Sequence, residues 1–426
     1  MKSSSDSSEL RHGLGENGAA RLSLRDWRTG LSYLVCLVFF VSLSITQYFS
    51  VGGLTAEIDE LGAALAILSL WILWESPASA RVPNHRGGWW ITLAFSGLAI
   101  WCGVVWLLAG NWQDRMGILQ SWVLCALLAY VLLVRARLNW EEIAFAFALA
   151  SIPNSALAVY QHFSGIGYGY KDLVGWIQGS AGGPKPVIGF FSFSNDMAAY
   201  LLWPFVISVG LAFQGPTIRR ILSGLCALLA ALALFWTFSR TAILTAGVAL
   251  VLCAIISLAR NRRAALLGLG VAALVAALAA AAVLARHTFM TLSSGRPVVW
   301  LEALQMIRSD RFFLAIGYLD AFKGSAVSPF WVPHNIYLML WMQFGVLGVV
   351  FLLGLLSQVI WLGWTGYREV RSRPLLLASW SVLLAFFFIE GMATNDLLEP
   401  YSLLTFAVGI CLLVGLAEQV PQLRKG

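Results

Sequence analysis

The chain has 426 residues, 59% of them apolar and only 12% charged, with mean hydropathy +0.78 and a formal net charge of +7. So much apolar surface excludes an ordinary soluble domain, and continuous rather than alternating apolar runs argue against a β-barrel. The six cysteines (Cys36, Cys102, Cys125, Cys226, Cys253, Cys411) all fall in apolar runs. They suit small core residues better than a disulfide framework or a metal site.

From the start, Met1 to Arg28 is polar and basic, with no pattern of a cleaved signal peptide. It is expected to be a cytoplasmic tail, 1–28. Apolar runs of spanning length follow at about 31–48, 60–75, 88–110, 116–134, 142–160, 197–213, 221–238, 241–258, 265–285, 336–358, 375–393 and 400–417. The expectation is therefore an all-α integral membrane protein of about twelve helices. Residues 29–418 form its transmembrane domain, and 419–426 a second cytoplasmic tail. The alanine-rich stretch from Ala272 to Ala282 suits close helix packing.

Alternate connections between these spans collect 19 of the 28 Lys and Arg, so that set is assigned to the cytoplasmic face, with both termini inside. The basic charge thus reads as a topology signal with some contact to anionic membrane lipids, and nucleic acid is not needed to explain it. Outside lie two long segments, 161–196 and 287–335, and the tight corner Ser239-Arg240-Thr241.

On that outer side the first acidic group is Glu57-Ile58-Asp59-Glu60, expected to be a solvated loop rather than a metal site. The 161–196 segment holds His162, Tyr170, Lys185 and the run Gly189-Phe190-Phe191-Ser192-Phe193-Ser194-Asn195-Asp196. Its aromatics fit an interfacial belt or contacts to sugar rings, and Tyr170, Lys185 and Asn195 are candidate substrate contacts. Arg240 joins two apolar runs with almost no loop. It is either a snorkelling anchor or an anion clamp facing an outer cavity.

The 287–335 segment opens on Ser293-Ser294-Gly295-Arg296-Pro297. Pro297 suits a first helical turn, and a helix over about 298–309 would present Trp300, Leu304 and Ile307 on one face, lying along the interface. Its N-terminus, with Ser294 and Gly295 ahead of it, is either an ordinary capped start or a phosphate site to which Arg296 adds a fork of donors. The segment ends at Pro333-His334-Asn335 on the lip of the next span. A lone histidine is often structural, but a neutral imidazole here can take a proton from a sugar hydroxyl, with Asn335 to orient it or to contact the substrate. Glu390 is the acid deepest in a span, which suits a cavity or a paired role.

Taken in order, Gly189 to Asn195, Ser239-Arg240-Thr241-Ala242, Ser294-Gly295-Arg296 with Trp300, Pro333-His334-Asn335 with Tyr337 and Leu338, then Phe344-Gly345 and Gly348, resemble the bacterial O-antigen ligase family. The resemblance covers most of residues 150 to 360. It implies a metal-independent, cofactor-free inverting glycosyltransferase with a fold like the membrane-embedded class C enzymes. Such an enzyme moves a glycan from undecaprenyl pyrophosphate to the lipid A–core oligosaccharide, on the periplasmic side of the bacterial inner membrane. By that resemblance Arg240 and Arg296 hold the donor pyrophosphate and His334 is the general base. An O-antigen polymerase and a protein O-oligosaccharyltransferase share this machinery. A lipid-linked oligosaccharide transporter is the alternative of another class, and it predicts charges spread through a central cavity and some repeat symmetry, whereas here the candidates collect on one face.

Overall fold

The computed structural model describes residues 15–45, 48–51, 54–73, 86–109, 116–135, 138–165, 186–191, 193–259, 263, 296–310, 333–392 and 400–423. The described chain is a helical bundle with one small hairpin. In order it contains α1 (Gly15–Ser42), β1 (Tyr48–Val51), β2 (Leu54–Glu57), α2 (Ile58–Leu73), α3 (Arg86–Ala109) and α4 (Met116–Ala129), which ends in a π-helical turn, Tyr130–Arg135. Then come α5 (Trp140–Ala150), α6 (Ile152–Ser164), α7 (Ser194–Ala212), α8 (Thr217–Trp236) and α9 (Arg240–Leu258). The last group is α10 (Arg296–Asp310), α11 (Ile336–Thr365), α12 (Tyr367–Ser372), α13 (Pro374–Phe388), a 3-10 turn Glu390–Met392, and α14 (Pro400–Leu423).

Among the described residues, nine helices are long and apolar enough to cross a membrane, and the chain is a multi-pass membrane protein. Nine of the twelve expected spans coincide with these helices. Two more coincide with shorter apolar helices, Trp27–Ser42 and Glu60–Leu73, and the span expected at 265–285 lies outside the described residues. Helix α1 begins at Gly15 and α14 runs on to Leu423, each beyond its apolar part, Trp27–Ser42 and Tyr401–Gln419. The first helix stops at Ser42, short of the expected 48, because Tyr48–Val51 pairs antiparallel with Leu54–Glu57. The acidic run after it is not a solvated loop. Ile58 starts a helix, and Glu60 is buried, accepting from Ser121 Oγ at 2.9 Å and Gln120 Nε2 at 3.2 Å.

Helices α14, α13 and α7 form the buried centre, while α8, α9 and α11 present most of their surface outward. The centre closes because small residues meet large rings. A Cβ placed on Gly409 would lie 2.4 Å from the Trp203 ring, and one on Gly415 would lie 1.9 Å from Trp140. Trp203, Phe386, Phe387 and Phe406 interlock as edge-on and tilted pairs, with Phe386 and Phe406 centroids 5.3 Å apart.

Two breaks shape the bundle. The α5–α6 helix is interrupted at Ser151, two residues before Pro153, which cannot supply an N–H to the ladder. In α11, Gly345 takes φ 69°, ψ −170°, a conformation open to glycine and costly for other residues. The indole of Trp101 donates to the carbonyl of Phe344 at 2.7 Å and so satisfies a group at the kink.

Candidate functional site

Successive helices alternate in direction, so the bundle has two ends. One end carries the first residues of α9 and α11 and the last residues of α6, α8 and α13. Every described candidate of the sequence reading lies there.

The α8–α9 corner is tight. Thr237 closes α8 and its hydroxyl donates to the Leu234 carbonyl at 2.7 Å. Phe238 follows with φ 56°, and Ser239 N–H donates back to Thr237 Oγ1 at 3.2 Å. Arg240 then opens α9 and is exposed. A positive φ at a phenylalanine is strained backbone, held only because the surroundings over-determine it. The effect is to place the arginine at the mouth of the corner instead of along a continuous helix.

Two polar side chains of α6 support this corner. Gln161 accepts from Gly189 N–H at 2.9 Å and Ile188 N–H at 3.1 Å, and donates to the Gly189 carbonyl at 3.2 Å. Asn154 accepts from Phe190 N–H at 2.9 Å. Val187 N–H in turn donates to the Trp236 carbonyl at 3.1 Å, next to the strained corner. Gly189 takes φ 59°, and a Cβ there would lie 1.9 Å from Asn154 Oδ1, so glycine is required on both counts. The segment from 186 to 191 is therefore bound to the Arg240 corner. Its aromatics divide: Phe191 is buried against Tyr200 and Tyr401, whereas Phe190 and Phe193 are exposed. Asn195 is exposed in the first turn of α7. His162 is stacked on Trp236, with ring centroids 4.0 Å apart and planes 8° from parallel.

The second corner precedes α11. His334 has φ 49°, the other positive φ at a non-glycine residue among those described. Asn335 caps α11, accepting from the N–H groups of Tyr337 and Leu338 at 3.0 and 3.1 Å. Its amide also donates to the Met392 carbonyl at 3.5 Å. Asn335 is 4% exposed with both ends of its carboxamide engaged, so it holds the backbone that carries His334 and is not an open substrate contact.

Helix α10 docks on this second corner. The Trp300 indole donates to the Pro333 carbonyl at 2.7 Å. Val299, Ala303 and Ile307 pack on Leu338, Met339 and Met342. The buried stripe is thus 299, 303 and 307 rather than the expected Trp300, Leu304 and Ile307; Leu304 faces outward. The reason is local: the indole turns to satisfy a carbonyl, and its neighbour Val299 takes the packing position. Arg296 begins α10, about one turn before Trp300, so the start of the long outer segment is brought to its end. The side chain of Arg296, and all of Tyr170, Lys185, Ser294 and Gly295, lie outside the described residues.

One further contact joins the two corners. Thr245 Oγ1 of α9 lies 2.9 Å from Glu390 Oε2, and Glu390 is 1% exposed. Glu390 and Met392 belong to one turn, so bonded or sequence-adjacent groups run without a gap from Arg240 and Thr241 through Thr245, Glu390, Gly391, Met392 and Asn335 to His334, Pro333 and Trp300.

Residues 225–353 match the family model described as O-antigen ligase. Through this segment, just under a third of the chain, the protein is similar to the O-antigen ligase family. No curated protein matches the chain. Members of the family are glycosyltransferase-like ligases and polymerases that act on a lipid-linked glycan and a membrane-embedded acceptor. The O-antigen ligase segment begins inside α8 and ends in α11 beyond the Gly345 kink. It contains both strained corners, and Arg240, Arg296 and His334 all lie within it. Asn154, Gln161 and Glu390 lie outside it and yet hold it in place. Asn154 and Gln161 were detectable as two polar residues seven apart in an apolar run, which puts them on one helix face.

Proposed function

We propose that the chain is an O-antigen ligase that transfers a glycan from undecaprenyl pyrophosphate to the lipid A–core oligosaccharide, at the periplasmic face of the inner membrane. The carrying observation is the one junction in which the O-antigen ligase segment and the Arg240, Arg296 and His334 corners coincide. The side assignment rests on the basic connections, which lie at the opposite end of the helices from Arg240.

The chemistry follows from the groups. Arg240, Arg296 and the start of α10, with Ser294 and Gly295 ahead of it, bind the donor pyrophosphate and stabilise the charge that grows on it. The acceptor hydroxyl attacks the anomeric carbon as His334 takes its proton. A C–O bond forms to the acceptor, the bond to the phosphate oxygen breaks, and that electron pair leaves with undecaprenyl pyrophosphate. Attack opposite the leaving group inverts the anomeric centre. Tyr170, Lys185 and Asn195 are placed by sequence along the outer 161–196 segment, where the glycan would pass. The lipid tail would lie between the outward-facing helices.

The test uses a ligase-null host that makes lipid-linked O-antigen. The wild-type gene is expected to restore long-chain lipopolysaccharide, and His334→Ala and Arg296→Ala at equal protein levels are expected not to. Full restoration by His334→Ala removes the base from the mechanism. Purified protein with defined lipids should work in EDTA. Product on lipid A–core supports the ligase, and product on a second lipid-linked glycan instead identifies a polymerase.

A further inference from the structure

The turn Glu390–Met392 lies between the two corners and touches both. Toward α9, Glu390 Oε2 sits 2.9 Å from Thr245 Oγ1, and Thr245 Oγ1 also lies 2.8 Å from the Thr241 carbonyl. The hydroxyl has a single proton, so it donates either to the carboxylate or to the carbonyl. In the second case a protonated Glu390 donates to the hydroxyl. Either arrangement ties the turn to α9 one turn beyond Arg240.

Toward α11, the Met392 carbonyl accepts from Asn335 at 3.5 Å, with Asn335 Nδ2 also 3.9 Å from the Met392 sulfur. Gly391 fits under Ile336 so closely that a Cβ would lie 2.5 Å from Ile336 Cδ1. Just before the turn, the Tyr337 hydroxyl donates to the Phe387 carbonyl at 2.7 Å. Three consecutive residues therefore fix the start of α11 against the start of α9. An apolar residue could fill the Glu390 site without the desolvation cost of a carboxyl group; what the carboxyl adds is direction.

We propose that the Glu390–Met392 turn is a positioning strut that sets the Arg240 helix against the His334 corner. It thereby sets the distance between the donor pyrophosphate and the acceptor hydroxyl. Glu390, Thr245 and Gly391 are positioning residues that act through Arg240 and His334 and do not touch substrate. The functional half rests on the glycan-transfer reading above. Displacements of about 1 Å at such a junction lower rate more than affinity.

The test has two readouts on the full chain in lipid nanodiscs. The first is steady-state transfer from undecaprenyl pyrophosphate glycan to lipid A–core, for wild type, Glu390→Gln, Glu390→Leu, Thr245→Val and Gly391→Ala. Glu390→Gln keeps shape and hydrogen bonding and is expected to stay within about 3-fold of wild-type kcat, whereas Glu390→Leu, Thr245→Val and Gly391→Ala should lose roughly 10- to 100-fold with KM for either lipid nearly unchanged. The second is a pulsed-EPR distance between spin labels at Leu244→Cys and Leu347→Cys, both outward-facing, on a Cys253→Ser background. The distribution should be narrow in the parent and broadened or shifted by Glu390→Leu and Thr245→Val. An unchanged distribution, or wild-type kcat per folded molecule in both of those variants, overturns the strut. If the wild type itself fails to transfer between these lipids, the glycan-transfer reading falls alone, and the EPR distances decide the strut.

Discussion

The two ends of the bundle carry their arginines on different backbones. At the Arg219 end, Arg219 lies between Glu141 and Glu142 of α5, bonded to Glu142 and 3.6 Å from Glu141. Gln214 extends the same network by accepting from Leu375 N–H at 3.4 Å. The one positive φ at this end among the described residues is at Gly215, where glycine bears it without strain. At the Arg240 end stand both non-glycine residues with positive φ among those described: Phe238, two residues before Arg240, and His334 itself. A structural arginine is stabilised by carboxylates on neighbouring helices. At the other end the fold accepts backbone strain to aim side chains, and strain that survives in a native structure marks a site where geometry matters more than stability. Position in the bundle therefore separates two arginines that look alike in the sequence.

The sharpest way to break this comparison is to neutralise one arginine at each end. Arg240→Gln is expected to lower kcat/KM for the lipid donor by about 100-fold or more, with the unfolding temperature little changed, since it removes a preorganised donor to developing charge. Arg219→Ala should do the reverse. It is expected to cost roughly 1–3 kcal/mol of stability, discounted because the pair is partly exposed, with turnover per folded molecule retained. Thermal unfolding in detergent and initial rates normalised to folded protein separate the two. Equal losses of rate from both substitutions would erase the distinction between the ends.

A smaller effect probes how α10 is held. Trp300→Phe keeps the ring and deletes the hydrogen bond to the Pro333 carbonyl, which is 2.7 Å long and part-buried. The expected cost is about 1 kcal/mol. A few-fold loss of transfer should accompany it, because α10 carries Arg296 and Pro333 precedes His334. Loss of stability with no change in rate would mean that α10 packs on the corner without positioning it.

That Arg240 and His334 border this end is legible in the sequence, for a physical reason. Arg240 and His334 interrupt or border apolar runs, where any charge or imidazole needs an explanation. The helix over Arg296–Asp310 was legible from Pro297 and its apolar spacing, and nine spans from apolar length alone. Contacts between distant residues were not. Thr245 and Glu390 are 145 positions apart, and no pattern within either helix announces the other. Glu60 was misplaced in a solvated loop because the nearby Glu57 and Asp59 disguised it, while its partners Gln120 and Ser121 stand two helices later. The buried face of α10 was misassigned by one position, since apolar spacing does not show that an indole will turn toward a carbonyl. The Gly345 kink was hidden inside a continuous apolar run, where glycine alone does not distinguish a break from close packing.

The smallest predicted difference is also the best controlled, because each end has an asparagine cap. Asn139 Oδ1 accepts from Glu141 N–H at 3.0 Å at the start of α5, and Asn335 Oδ1 does the same for Tyr337 and Leu338 at the start of α11. Replacing either by Ala is expected to cost about 1 kcal/mol, the usual value of such a cap. Asn139 is exposed, so its loss is partly made good by water and should fall at the low end of that range. Asn335 is buried and also donates to Met392, so its loss leaves a carbonyl short of a partner and frees the backbone on which His334 sits. The same substitution is therefore expected to leave turnover untouched at Asn139 and to reduce it several-fold at Asn335. The ratio of the two rates, each taken per folded molecule, isolates the effect of place from the effect of capping. A ratio of one would mean that the His334 corner holds its shape without its cap, and that the strain at His334 is maintained by α10 and the Glu390 turn alone.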